Sequence, residues 1–272
     1  MLKRLSSRHH PLVALCRQLA RHRAPGDTRL LLDGLHLVGD ARRAGLAVET
    51  AAFSARALAT PEGAGLAAAL ESTGAEILAV SDALMAALSP LSAPSGVVAI
   101  ATRPAASLDQ VFEGAPSLVV VAVGVQDPGN VGAIIRAAEA GAATGAAFCG
   151  ESADPFGWKA LRGSMGSAFR LPLAPPGVAL DEVLAAARAA AVRVVATLPR
   201  GGRPVATADL SGPVALLIGG EGPGLPAAAL TGADDRVSIP MKAPVESLNV
   251  AVAAALLIYE AGRQRQRPPH GD

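Results

Sequence analysis

The stretch LVVVAVGVQDPGNVGAIIRAAEAG, residues 118–141, decides the fold class of the carboxyl-terminal half of the chain. It begins with an unbroken apolar run, turns at Asp127-Pro128-Gly129 and continues into an apolar helical pattern. An apolar run without alternation is typical of a strand buried on both faces, as in parallel sheets covered by helices. The helical pattern carries one arginine, Arg136, whose charge is costly to bury without a partner. Either this side chain reaches solvent from an ordinary helix, or the helix presents it to a ligand.

The alternation of apolar runs and helical patterns continues after this stretch. The runs at 145–150, 192–197, 214–220 and 236–240 predict strands, and the segments 130–141, 179–191 and 247–262 predict helices. Parallel strands need long crossover connections, which are usually helices, so this order predicts a parallel α/β sheet.

The first hundred residues form a second, smaller α/β pattern. Strands are predicted at 29–34, 46–53, 75–81 and 96–104, and helices at 35–44, 61–72 and 82–88. The segment that follows has proline and glycine and few bulky apolar residues, which is typical of a linker. We therefore predict two domains, residues 1–105 and 117–272, joined by a linker at 106–116.

The composition favours a globular protein and argues against several functional classes. Hydrophobic residues make up 51% but aromatic residues only 3%, which disfavours stacked aromatic platforms for nucleic acid. The net charge is +1, yet residues 1–30 hold seven basic side chains against one acid, which suits either a polyanion contact or a solvated helix. The two cysteines and five histidines have no metal-site or disulfide pattern. No apolar run is long enough to span a membrane, so we expect a cytoplasmic protein, although the basic amphipathic start also suits a transit peptide.

Three strands of the second half are followed by unusual turns: QDPGNVG (126–132), EGPGLP (221–226) and MKAPVESLNV (241–250). Ligands of open α/β sheets bind beyond the carboxyl ends of the strands, so the three turns predict one shared site. The chain contains no GxxxxGK[ST] motif, and the glycines of GGEGPG lack the GxGxxG spacing. The site is therefore neither a P-loop nor a conventional dinucleotide site.

Three motifs, DPGNVGAIIRAAEAG (127–141), LIGGEGPGLP (217–226) and IPMKAPVESLNVAVAAALLIYE (239–260), occur in this order. They resemble the signature motifs of the SpoU (TrmH-like) branch of the SPOUT RNA methyltransferases. The first hundred residues resemble the accessory substrate-binding domain of that family, an α/β domain similar to a small ribosomal protein, with Asp33 where the family normally has Glu. The resemblance implies a parallel-sheet domain with a deep trefoil knot, and a homodimer.

The resemblance further implies transfer of a methyl group from S-adenosylmethionine to a ribose 2′-hydroxyl of RNA. The separate amino-terminal domain favours 23S ribosomal RNA as the substrate. Two alternatives stay open, a tRNA ribose 2′-O-methyltransferase and a non-catalytic SPOUT protein that only binds RNA.

The resemblance also assigns roles to individual residues. The catalytic set is Asn130, Arg136, Glu221, Ser247 and Asn249. The residues expected around the cofactor are Thr197, Leu198, Gly201, Ile218, Gly219, Gly220, Ile239, Met241 and Leu248. The residues expected near RNA are Lys159, Arg162 and Ser164, to which the basic terminus adds Arg8, Arg17 and Arg21. No metal is implied.

Four of the five catalytic assignments, all except Asn249, have a structural alternative. Arginine stays protonated at any working pH, so Arg136 suits a charged group that binds a phosphate and stabilises a developing alkoxide better than a general base. Asn130 and Ser247 are residue types that also cap helices. Glu221 would otherwise be an acid on a surface turn.

Overall fold

The computed structural model describes residues 3–24, 26–222 and 224–266, which form two compact units. The first unit comprises the chain up to residue 105 together with 156–169, and the second comprises 106–155 together with the chain from 170 onwards. The elements before residue 106 are β1 (Lys3–Leu5), α1 (Pro11–Arg21), β2 (Arg29–Asp33), α2 (Leu35–Arg43), β3 (Val48–Ser54), α3 (Ala55–Leu58), α4 (Pro61–Glu71), β4 (Glu76–Val80), α5 (Asp82–Leu88) and β5 (Val97–Thr102). Those that follow are α6 (Leu108–Phe112), β6 (Leu118–Val123), α7 (Pro128–Ala140), β7 (Gly145–Cys149), α8 (Trp158–Ser164), α9 (Leu180–Ala189), β8 (Arg193–Leu198), β9 (Arg203–Pro204), β10 (Val214–Gly219), α10 (Ala227–Thr231), β11 (Asp235–Ser238) and α11 (Val250–Arg265).

The first unit is built on a mixed sheet with the strand order β1-β4-β3-β5-β2. Strands β1, β4 and β3 run parallel, whereas β5 pairs antiparallel with both β3 and β2. Helices α1 and α5 pack on one face, where Cys16 and Leu84 join Leu31 of β2 in one core cluster. Leu30 and Leu32 alternate with Leu31 and are buried as well, so the other face is also covered.

The second unit is built on a sheet with the strand order β7-β6-β10-β8-β11-β9, and every pairing in it is parallel. This confirms the prediction of a parallel sheet in the carboxyl-terminal half. In β6, Val119 and Val121 pack into a core with α6 and α9, and Val120 between them is fully buried on the opposite face. The unbroken apolar runs therefore mark strands covered on both sides, for the reason that the sequence suggested. The trefoil knot implied by the resemblance stays a prediction.

The segment 106–116 differs from the predicted linker. It forms the short helix α6, whose Val111 and Phe112 are buried against the sheet of the second unit. These two side chains supply enough apolar surface to hold the segment on a core, which outweighs the proline and glycine around it.

A second difference concerns residues 156–169, which the sequence assigned to the domain at 117–272. In the structure this segment, with α8, packs into the first unit. The Trp158 indole N–H donates to the Ala20 carbonyl oxygen at 3.0 Å. The buried Phe156 ring lies 5.7 Å from the Arg23 guanidinium carbon and 5.4 Å from that of Arg103. A local apolar pattern says that a segment is buried but not in which core, so the sequence could not reveal this placement.

Candidate active site

The predicted site lies at the carboxyl ends of neighbouring strands in the second unit. Strands β6 and β10 pair along their whole length, with Gly219 opposite Val123. The chain continues from β10 with Gly220, whose N–H donates to the Val123 carbonyl oxygen at 2.7 Å. A β-carbon on Gly220 would overlap the Gly124 carbonyl oxygen. Glycine is therefore required where the two turns pass each other.

A chain of side-chain hydrogen bonds joins the three motifs. The Asn249 amide group donates to Asn130 Oδ1 at 3.1 Å, and the Asn130 amide group donates to Glu221 Oε1. Asn130 and Asn249 are 119 residues apart in sequence, and Asn130 and Glu221 are 91 apart. The structure thus brings together three of the five residues to which the resemblance assigned a catalytic role.

The observed helix caps show whether Asn130 and Ser247 have only a structural role as capping residues. The N-cap of α7 is Asp127, whose carboxylate accepts from the Asn130 backbone N–H at 2.8 Å. The N-cap of α11 is Asn249, whose Oδ1 accepts from the N–H groups of Ala251 and Val252. Neither Asn130 nor Ser247 is a cap, so capping does not explain why these residues occur there.

A cavity of about 420 Å³ lies beside this hydrogen-bond chain. Eight of the nine residues expected around the cofactor line it: Thr197, Leu198, Ile218, Gly219, Gly220, Ile239, Met241 and Leu248. The ninth, Gly201, is not at the cavity wall; it occupies a turn at φ +80°. Glu221, Ser247 and Asn249 also line the cavity, so the hydrogen-bond chain borders it directly.

The sequence analysis missed several further residues at the cavity wall: Pro199, Gly222, Gly224, Leu225, Val250, Ala253 and Leu257. Glycine density in EGPGLP was a usable signal for two of them. Gly222 and Gly224 have φ values of +102° and +72°, which side chains rarely adopt. A β-carbon on Gly219 would lie 2.6 Å from the Gly224 carbonyl carbon. The turn therefore folds tightly over the end of β10 and leaves bare backbone facing the cavity.

The cavity wall is almost uncharged. Within the described residues, Glu221 is the one ionisable side chain that lines it. The loops after β8 and β11, which both border the cavity, are linked at their exposed tips by an ion pair of 3.6 Å between Arg200 and Glu246. Among the described residues no group of three or more His, Cys, Asp or Glu side chains could hold a metal ion.

Arg136 does not line this cavity. It is exposed on α7, and its outward-facing neighbours on that helix are Ala133 and Ala140. Because Arg136 lies six positions after Asn130, the two side chains point about a third of a turn apart around the helix axis. The structure thus presents Arg136 at the surface of α7, while Asn130 faces Glu221 and Asn249.

The residues expected near RNA all lie in the first unit. Arg8, Arg17, Arg21, Lys159 and Arg162 are exposed. Ser164 is an exception, because it is fully buried and its hydroxyl donates to the Leu161 carbonyl oxygen at 2.9 Å. This hydroxyl forms a hydrogen bond within the last turn of α8 and does not face solvent. The buried position of Ser164 therefore does not support its expected contact with RNA.

Both cysteines are free and buried. Burial raises the pKa of the Cys16 thiol to about 12, with a further contribution from the Asp33 carboxylate, and burial likewise raises that of Cys149 to about 12. Both thiols are therefore neutral near pH 7 and have no thiolate character. In the described parts of the chain, no helix is both long and apolar enough to cross a membrane.

Comparison with known proteins gives matches along most of the chain. Residues 117–259 match the SpoU rRNA Methylase family, and residues 12–99 match the MRM3-like substrate binding domain. The chain is 42% identical over 178 residues to the 23S rRNA (uridine(2479)-2′-O)-methyltransferase of Streptomyces viridochromogenes, covering 64% of this chain and 62% of that protein. It is 33% identical over 189 residues to the 23S rRNA (guanosine(2553)-2′-O)-methyltransferase RlmP of Bacillus subtilis, covering 69% of this chain and 73% of the relative.

Similarity to solved structures extends over both units. The AdoMet-bound rRNA methyltransferase of Sinorhizobium meliloti superposes with a TM-score of 0.85 at 32% identity, covering 96% of this chain and 98% of that one. The family match spans the first two motifs and all but the last residue of the third, and the structural match spans the first unit as well. The chain therefore belongs to the SpoU rRNA methylase family.

Proposed function

We propose that this protein transfers the methyl group of S-adenosylmethionine to a ribose 2′-hydroxyl of 23S ribosomal RNA. The observation that carries the proposal is the hydrogen-bond chain of Asn249, Asn130 and Glu221 at the edge of the cavity. Two relatives named as 23S rRNA 2′-O-methyltransferases support the reaction and the RNA class. They act on different nucleotides, so the class of RNA is proposed here and not the position.

The cavity fits S-adenosylmethionine. Its volume of about 420 Å³ lies within the range of about 300–1,000 Å³ for small-molecule sites. Ile218, Ile239, Met241 and Leu248 supply apolar surface suited to an adenine ring, and Gly219 and Gly220 supply bare backbone for close approach. When bound, S-adenosylmethionine offers an electrophilic methyl group carried on a sulfonium.

The side chains around the cavity would position the ribose rather than supply covalent chemistry. The Asn130 amide is held from both sides, because its oxygen accepts from Asn249 and its nitrogen donates to Glu221. This arrangement fixes the orientation of the amide before RNA binds, which reduces the cost of ordering it in the transition state. The Glu221 carboxylate and the Ser247 hydroxyl, both at the cavity wall, can orient the 2′-hydroxyl.

Arg136 would act from the surface of α7 and not from the cavity wall. It is exposed on α7 and permanently charged, so it suits the phosphate next to the target ribose and the negative charge that develops on O2′. Arg8, Arg17, Arg21, Lys159 and Arg162, exposed in the first unit, would contact the RNA backbone. We propose a cytoplasmic location, which suits a ribosomal RNA substrate.

We further propose that the protein is a homodimer that associates through α7 and α11. On α11, Val252, Leu256 and Tyr259 are 49%, 45% and 71% exposed at spacings of four and three residues, so they form one apolar stripe. Helix α7 packs beside α11 in the same unit and adds the exposed Ala133 and Arg136. A partner that covers the stripe would bring its own surface next to Arg136.

The reaction is tested with purified protein, labelled S-adenosylmethionine and unmodified 23S rRNA. Digestion of the RNA should yield labelled 2′-O-methylnucleoside. Arg136→Ala should lower the rate by about 100-fold or more, as expected for loss of a group that stabilises developing charge, while cofactor affinity measured by calorimetry stays nearly unchanged. Arg136→Lys is the matched control, since it keeps the charge but loses the bidentate geometry.

Two outcomes would contradict the proposal. Label found exclusively on a base would exclude ribose methylation. Absence of both S-adenosylmethionine binding and methyl transfer would favour a protein that only binds RNA.

A further inference from the structure

Two arginines one turn apart on α1 have no counter-charge among the described residues. Arg17 and Arg21 are both exposed, and neither forms a hydrogen bond or ion pair with another described residue. Other arginines of this region do: Arg29, for example, is paired with Asp27 at 2.8 Å. Like charges at this helical spacing repel each other, so the arrangement costs stability unless an anion binds between them.

The same two arginines separate two open grooves in the first unit. A groove of about 200 Å³ lies between α1 and the segment 86–90, with Cys16, Ala20 and Ala87 among its lining residues. A groove of about 560 Å³ lies on the other side and includes Gln18 and His22. Arg17 and Arg21 line both grooves. The two arginine side chains therefore form a ridge with a concave surface on each side.

The chemistry of the grooves indicates what they accept. Among the described residues that line them there is no acidic side chain, so the ridge is the dominant charge and favours an anion. The smaller groove is below the range of about 300–1,000 Å³ typical of free small ligands, so it suits one part of a polymer. Among the described residues that line the grooves there is no Phe, Tyr or Trp, which disfavours recognition by stacking of bases on large aromatic rings.

We propose that Arg17 and Arg21 together bind one phosphate of a single RNA strand, whose flanking nucleosides occupy the two grooves. The proposal rests on the proposed function for the presence of RNA. Guanidinium groups bind phosphate oxygens in a bidentate manner, and two of them from one helix face can share one phosphate. A single strand can follow a ridge with a groove on each side, whereas a duplex is too wide and stiff to place its sugars in both.

The test measures binding of a short single-stranded RNA by fluorescence anisotropy at several salt concentrations. The double variant Arg17→Ala/Arg21→Ala should raise the Kd about tenfold. It should lower the slope of log K against log salt by about 0.7, the value for one phosphate contact on a single strand. The control Arg42→Ala removes an exposed arginine from α2, outside both grooves, and should change neither quantity.

A second pair of variants tests the groove without removing an arginine. Ala86 is exposed, lies on α5 and lines the smaller groove. Ala86→Glu should weaken RNA binding, whereas Ala86→Lys, of similar size, should preserve or strengthen it. Both changes leave the apolar core untouched.

Several outcomes would overturn the proposal. For the double variant, an unchanged salt slope would do so, as would a fall of the slope by about 1.4, which indicates two separate phosphates. Equal effects of Ala86→Glu and Ala86→Lys on RNA binding would also overturn it, and so would an affinity for polyglutamate equal to that for RNA. Two measurements on the wild-type protein test the proposed function independently of the grooves. They are calorimetry with S-adenosylmethionine and methyl transfer to 23S rRNA. If the wild type methylates rRNA but the groove variants bind RNA normally, the groove proposal fails and the function stands.

Discussion

The Asn249 side chain serves two helices at once. Its oxygen caps α11 by accepting from two backbone N–H groups, and its nitrogen donates to Asn130 on α7. The cap is a contribution to folding, whereas the contact with Asn130 is a contribution to the site. Because different atoms carry the two contributions, a suitable substitution can separate them.

We expect Asn249→Ser to keep the thermal midpoint and lose activity. Serine caps helices about as well as asparagine, but its side chain is too short to reach Asn130. The Asn130 amide would then be held by Glu221 alone, and a misplacement of about 1 Å can cost about 100-fold in rate. Thermal unfolding and methyl transfer to 23S rRNA, measured on the same preparation, check both parts.

Asn249→Ala is the matched control for this pair of measurements. It removes the cap as well and should lower the free energy of unfolding by about 1 kcal/mol in addition to the loss of rate. Full activity in Asn249→Ser would show that the contact with Asn130 has no part in the reaction.

At the scale of elements, the end of α11 is held by an unusual set of contacts. The Arg265 guanidinium donates to four backbone carbonyl oxygens, those of Pro116, Ser117, Leu210 and Gly212, at 2.6–3.1 Å. Burial lowers the pKa of Arg265 below its usual value, yet an arginine in this setting stays protonated. Through this one side chain, the last helix is attached both to the segment that leads into β6 and to the loop before β10.

Arg265→Met should therefore destabilise the protein clearly. Methionine keeps much of the aliphatic volume but leaves the four carbonyl oxygens without their donor, which should cost about 2 kcal/mol or more. Arg263→Met is the control, because Arg263 pairs within α11 with Glu260 at 2.6 Å and is more exposed. Chemical denaturation should show a clearly lower midpoint for Arg265→Met and almost no change of the midpoint for Arg263→Met. Equal midpoints for the two variants would refute the role of Arg265.

At the scale of the whole molecule, one apolar surface of α11 is exposed, and one segment packs into a different unit from its neighbours in sequence. The stripe of Val252, Leu256 and Tyr259 leaves large apolar side chains exposed on the outside of α11. Residues 156–169 leave the second unit in sequence and pack into the first. Deleting residues 1–103 would remove the packing partners of Phe156 and Trp158, so point substitutions on α1 test RNA binding more cleanly than truncation does.

We expect Tyr259→Asp to convert a dimer into a monomer. The substitution places a charge in the apolar stripe that dimerisation would remove from water, which is strongly unfavourable without a partner. Light scattering at micromolar protein should give a dimer mass for the wild type and a monomer mass for the variant. Ala68→Asp, at an exposed position of α4, should leave the mass unchanged. A monomeric wild type that retains activity would refute the homodimer.

The sequence by itself determined the class of the second unit and the identity of its site loops. Apolar runs and turn residues report on local structure, so the strands around LVVVAVGV and VALLIGG and the glycine-rich turns after them were predictable from residues that are neighbours in sequence. The resemblance added the catalytic set, because three long motifs in one order are more specific than any single pattern.

Only the tertiary structure decided which of these residues meet. The contacts of Asn130 with Glu221 and Asn249 span 91 and 119 residues, and no local pattern encodes a pairing at such a distance. The same limit explains why residues 156–169 were assigned to the domain at 117–272, whereas they pack into the first unit. The resemblance placed Ser164 near RNA, and only the structure shows that its side chain is buried. The hydrophobic effect acts without direction, so an apolar pattern specifies that a segment is buried, while the packing of the complete chain selects the core that buries it.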